Sequence, residues 1–159
     1  MKKEKFILLL KYSFILGLIL GGISIIPYIN ILSAIVMCIF SSVLVIYYME
    51  KKQQIGELTV KGAAILGLVI GFISLAGYLI VNLPINAILG AIFSGSRYFS
   101  LSRFLIEAWW LLIIMGGLIS AIINSFSLLS YIYIKDTYFM IEGKKEIKPN
   151  FIMRDKNGF

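Results

Sequence analysis

The sequence predicts an all-α, polytopic membrane fold of four transmembrane helices, and three observations predict it. The 159 residues are 60% hydrophobic and 14% charged, against roughly 25% charged in an ordinary soluble domain. Apolar residues gather in four runs of about 18 or more, the length a helix needs to cross a hydrocarbon core about 30 Å thick. Residues 11–28 also align without a gap onto residues 61–78, and nine of the eighteen pairs are identical: Lys11/Lys61, Ile15/Ile65, Leu16/Leu66, Gly17/Gly67, Leu18/Leu68, Gly21/Gly71, Ile23/Ile73, Ser24/Ser74 and Tyr28/Tyr78. Like segments entering the bilayer in the same direction predict two parallel repeated hairpin-like units, with the first and third spans in equivalent positions.

The first span is expected over about residues 12–29. Lys2, Lys3 and Lys5 precede it as in a secretory signal, but the run is longer than a signal core and no small-x-small cleavage site follows, so an uncleaved helix is expected. Pro27-Tyr28-Ile29-Asn30 then forms a tight turn, with Pro27 ending one helix and Asn30 placed to cap the next. The second span covers about 31–48 and contains the single cysteine, Cys38, which excludes an intrachain disulfide and suits a small buried side chain. Residues 49–61, MEKKQQIGELTVK, read as a polar loop, and a third span follows over about 62–83. Pro84 then opens a stretch with Ile85, Ile88, Leu89, Ile92 and Phe93 at helical spacing. Too short to span, it predicts an interfacial helix over about 84–94, with a shallow re-entrant element as the alternative. The fourth span, about 105–134, is long enough to tilt or project. Residues 1–134 thus form one four-helix bundle, followed by a cytoplasmic tail over 135–159.

Orientation follows from lysine and arginine in the short flanks. Thirteen lie on the side of the termini and of the 49–61 loop, against Arg97 and Arg103 on the other, so both termini are expected in the cytoplasm of a multi-pass cell-membrane protein. The net charge of +7 is thereby explained by topology, without nucleic acid as a partner. Tyr28, Tyr78, Trp109 and Trp110 fall at the expected outer edge, and Tyr12, Tyr47, Tyr48, Tyr131 and Tyr133 at the inner one, where amphipathic rings settle.

Small residues form stripes. Ser13, Gly17, Gly21 and Ser24 share one helix face, Ala63, Gly67, Gly71 and Ser74 repeat it, and Gly117, Ser120, Asn124 and Ser127 supply a third. Ala34, Cys38 and Ser42 offer a fourth. Small faces let helix backbones approach in lipid, where apolar surface alone does not drive association. These twelve residues of the first three stripes are expected to be helix-packing positions; the alternative is that the stripes line a narrow path. Gly71→Ile should force helices apart while Gly71→Ala is milder. Asn124 sits near mid-membrane, where an unpaired amide is costly, and should bond across helices.

Catalytic chemistry finds no members. No histidine is present, one cysteine cannot build a thiolate metal site, and Glu107 is the only carboxylate that approaches a span. The glycines lie in apolar helices without the Lys-Ser/Thr of a phosphate loop. No enzyme, cofactor or metal is expected.

The stretch YYMEKKQQIGELTVKGAAILGLVIGFIS resembles a broad group of small prokaryotic four-span membrane proteins of unknown function, in which an aromatic and basic helix end, a Gly-containing polar loop and a glycine-striped helix follow one another. The resemblance covers about residues 44–75 and, more loosely, 116–120, and implies the fold and a membrane location without site residues. The expected function is that of a non-enzymatic integral membrane protein acting through helix packing as an accessory, assembly or regulatory component. The alternative is a small oligomeric transporter or channel subunit. Its partners would be the lipid bilayer and either a second copy or another membrane protein.

Overall fold

The computed structural model describes residues 3–26, 29–56, 58–93 and 109–141. Every regular element among them is helical: α1 (Lys3–Ile23), α2 (Ile29–Lys51), α3 (Val60–Phe93) and α4 (Trp109–Ile141). All four are long and apolar enough to cross a membrane.

Capping residues set the ends near the 49–61 loop. Gln53 adopts φ 55° after α2; its N–H donates to the Glu50 carbonyl at 2.8 Å and that of Gln54 to the Met49 carbonyl at 2.9 Å. Those two bonds satisfy carbonyls that the helix end would leave open, with glutamine in the left-handed position that glycine usually takes. Thr59 caps α3 by accepting from the Gly62 N–H at 3.1 Å.

Several boundaries differ from expectation. α1 starts at Lys3 and ends at Ile23, so its basic flank is helical. α2 runs on to Lys51, beyond the expected 48, which brings Glu50 into the helix. The separate interfacial helix over 84–94 is not seen as an element of its own: residues 84–93 continue α3 through Pro84. Proline removes one backbone bond, but membrane helices tolerate it when nearby groups compensate. The carbonyl it frees is that of Ile80; two residues on, Asn86 Nδ2 donates to the Asn82 carbonyl at 2.8 Å. Residues 135–141, expected in the tail, extend α4, while 94–108, including Glu107, and the tail from 142 lie outside the described residues. Asn30 lies inside α2 and accepts from Tyr78 OH at 3.4 Å, joining helices instead of capping one.

α3 is the central helix. α1 lies along it in parallel, since Gly17 meets Ser74 and Gly21 meets Tyr78; α4 runs antiparallel, since Gly67 meets Ser125 and Gly71 meets Ser120. α2 touches all three. One apolar cluster, including Leu9, Ile46, Met49, Ile70 and Leu128, fills the end near the 49–61 loop, and a smaller one of Leu20, Met37, Leu75 and Tyr78 fills the other. Between them lies a layer of polar side chains on α2 and α4. Equivalent residues of the sequence repeat do not share surroundings: Gly17 and Gly21 face α3, whereas Gly67 and Gly71 face α4.

Candidate functional site: a polar junction at mid-bundle and a cleft at its basic end

Asn124 is fully buried on α4 and faces α2. Residues Val36–Phe40 of α2 form a π-helical turn, which adds a residue to the helix and disturbs its bonding ladder. The carboxamide of Asn124 meets this turn. Its Oδ1 accepts from Ser42 N–H at 2.9 Å, and its Nδ2 donates to the Cys38 carbonyl at 2.8 Å. In a regular α-helix those two backbone groups, four residues apart, would pair with each other. The side-chain amide thus stands between the donor and the acceptor of one helical turn and offers each the bond a peptide would.

Further bonds close the site. Ser41 Oγ donates to Asn124 Oδ1 at 2.9 Å, Nδ2 reaches the Met37 carbonyl at 3.3 Å, and Ser42 Oγ donates to the Asn124 carbonyl at 2.8 Å. Ser120 Oγ donates to the Gly71 carbonyl at 3.2 Å and so ties α3 to the same point. Buried amides and hydroxyls are costly unless paired, and these are paired within the chain.

Of the twelve predicted packing positions, eleven are buried: Ser13, Gly17, Gly21, Ser24, Ala63, Gly67, Gly71, Ser74, Gly117, Ser120 and Asn124. Ser127 is only half-buried; Ser125 takes the inward position and donates to the Ala64 carbonyl at 3.0 Å. A methyl on Gly17 would run into the Ser74 carbonyl oxygen, and one on Gly67 would lie 2.6 Å from Ser125 Cα. On Gly71 it would stand 2.7 Å from the Ser120 carbonyl oxygen, so alanine is not the mild substitution expected there. Ser13 Oγ donates within α1 to the Leu9 carbonyl, and Ser24 Oγ, just past the end of α1, donates back to the Gly21 carbonyl. Ser24 also accepts from Asn82 Nδ2, which itself reaches Tyr78 OH at 3.5 Å. Tyr78, read as an interfacial ring, is buried among α1, α2 and α3.

On α2 the expected stripe of Ala34, Cys38 and Ser42 is displaced. Ala34 and Cys38 are half-buried, while Met37 and Ser42, five apart, both point inward as the π turn dictates. Nothing in the composition of VMCIF announces that turn; its cause sits on α4.

Sequence reasoning also missed Glu50. Its Oε2 lies 2.7 Å from Lys135 Nζ and accepts from Tyr131 OH at 3.1 Å. Lys135 Nζ stands 5.9 Å from the Tyr131 ring centroid. These groups edge a cleft of about 530 Å³ between the ends of α2 and α4, walled by Tyr47, Ile134 and Tyr138. Charges read as solvated loop in MEKK turn out to include a half-buried carboxylate, because α2 continues one turn further than its hydropathy suggests. Among the described residues, no three His, Cys, Asp or Glu side chains gather as metal ligands would. No known protein family, curated protein or solved structure matches the chain.

Proposed function

We propose that this chain is a non-enzymatic integral membrane protein with both termini in the cytoplasm, acting through helix packing as an accessory, assembly or regulatory component of a membrane complex. The observation that carries the proposal is the closure of the polar junction. Residues that would have to line a path through the bundle, Ser42, Ser120 and Asn124 above all, direct their polar atoms at one another and at backbone carbonyls. The glycines of the α1 and α3 stripes likewise face neighbouring backbones of the same chain, and Gly117 faces the Phe72 ring. Side chains left outside are large and apolar, among them Ile119, Ile122 and Phe126 on α4. They suit lipid or the helix of another membrane protein. In this reading the extended end of α3 beyond Pro84 rests at the outer headgroup layer, and the repeat survives as two like helices with different neighbours.

Detergent-solubilised native membranes carrying a tagged chain test the proposal. The expected result is one membrane protein copurifying in stoichiometric amount, with no solute flux in vesicles holding the purified chain alone. Selective flux through such vesicles, without any partner, would replace it with the transporter or channel reading.

A further inference from the structure

The cleft at the basic end lies where the candidate spans Ile29–Lys51 and Ile113–Tyr138 both finish, the depth of lipid headgroups for helices of this length. Its walls divide by chemistry. Tyr47 and Ile134, both largely exposed, make an apolar side continuous with the lipid-facing surface, while Lys51 and Lys135 bring two positive charges against the single carboxylate of Glu50. Glu50 is already engaged by Lys135 Nζ and Tyr131 OH. That bond uses one of three ammonium donors, so the cleft keeps a net positive charge, and Lys51 stands at its rim. An occupant must therefore join a negative head to an apolar body and arrive from the bilayer side.

We propose that this cleft binds the phosphodiester headgroup of an anionic phospholipid, with the phosphate at Lys51 and Lys135 and the glycerol and upper acyl chain along Tyr47 and Ile134. The cation–tyrosine contact between Lys135 and Tyr131 holds the ammonium at the mouth of the cleft. Basic recesses between helices at a membrane surface are suited to such headgroups. The site goes beyond the accessory role and does not depend on it.

Native mass spectrometry of the purified full chain in dodecyl maltoside, titrated with phosphatidylglycerol or phosphatidylcholine, tests the assignment. Phosphatidylglycerol should bind at lower concentration than phosphatidylcholine. Lys51→Gln should raise its half-saturation concentration about fivefold, the effect of one well-placed basic side chain. Lys11→Gln removes the same charge at the same end of the bundle but outside the cleft, and should leave binding unchanged; both lysines are exposed, so neither change threatens the fold. Equal affinity for the two lipids would overturn the proposal. So would equal weakening by Lys11→Gln and Lys51→Gln, which is the mark of diffuse attraction, or glycerol phosphate binding as tightly as phosphatidylglycerol, which would mean that the acyl chain along Tyr47 and Ile134 adds nothing.

Discussion

Asn124 shows how one side chain can shape a helix more than eighty residues away. Its amide makes three short bonds to α2, to Ser41 Oγ, Ser42 N–H and the Cys38 carbonyl, while the second Nδ2 hydrogen is shared between the Ser120 carbonyl of its own helix at 3.0 Å and the Met37 carbonyl at 3.3 Å. Interhelical bonds in membranes average about 0.6 kcal/mol, so the three short ones contribute about 2 kcal/mol, and truncation also orphans buried backbone groups. Asn124→Ala is therefore expected to lower stability by about 2 to 4 kcal/mol, measured as unfolding free energy in detergent, more than a single membrane hydrogen bond would suggest. A cost under about 1 kcal/mol would show that the π turn stands without the amide. A double-mutant cycle with Ser41→Ala should give a coupling of roughly 0.5 to 1.5 kcal/mol, since the two side chains meet directly. A lone amide in an apolar run has few alternatives to a bond across helices, and Asn124 bonds to α2. Its partners were not legible, since the groups it bonds are mostly backbone and carry no residue identity.

At the scale of elements, the glycines are not interchangeable. Gly17 and Gly67 face backbone atoms of neighbouring helices, whereas nothing lies within 4 Å of a methyl placed on Gly22. Gly17→Ala and Gly67→Ala should each lower the melting temperature, at a cost of about 1 to 3 kcal/mol by overpacking. Gly22→Ala should be neutral or stabilising by up to about 1 kcal/mol through helix propensity. Thermal unfolding of the three variants in one detergent checks the order, and equal melting temperatures would remove the close-approach account. Four helices long and apolar enough to cross a membrane were legible because hydropathy acts locally. Helix ends were not: the 60–93 helix passes Pro84, which local composition reads as a break, and α2 keeps Glu50 because bonds from Gln53 and Gln54 finish it beyond that residue. The repeat misled about surroundings. Identical residues on α1 and α3 meet different helices, since α3 packs mainly between α1 and α4 whereas α1 packs mainly on α3.

At the scale of the whole molecule, a closed polar centre sits inside an apolar exterior. Orientation rests on the excess of basic residues at the end that holds Lys3, Lys51 and Lys135. In a Cys38→Ser background, a cysteine at position 54 should react with a membrane-impermeant thiol reagent only after the cytoplasmic side is opened, and one at position 96 from outside; the reverse pattern would invert the topology. The claim that the bundle has no water path is sharper and can be put to Ser120, which is 1% exposed and bonded to Gly71 across the α3–α4 contact. With Cys38→Ser and Ser120→Cys combined, the deciding measurement is the rate of modification by a small charged thiosulfonate, applied to each side of intact membranes and compared with the unfolded chain. A closed junction predicts no modification from either side until the protein is unfolded; rapid modification of the folded protein from either side would mean that water reaches the centre, and would contradict the account.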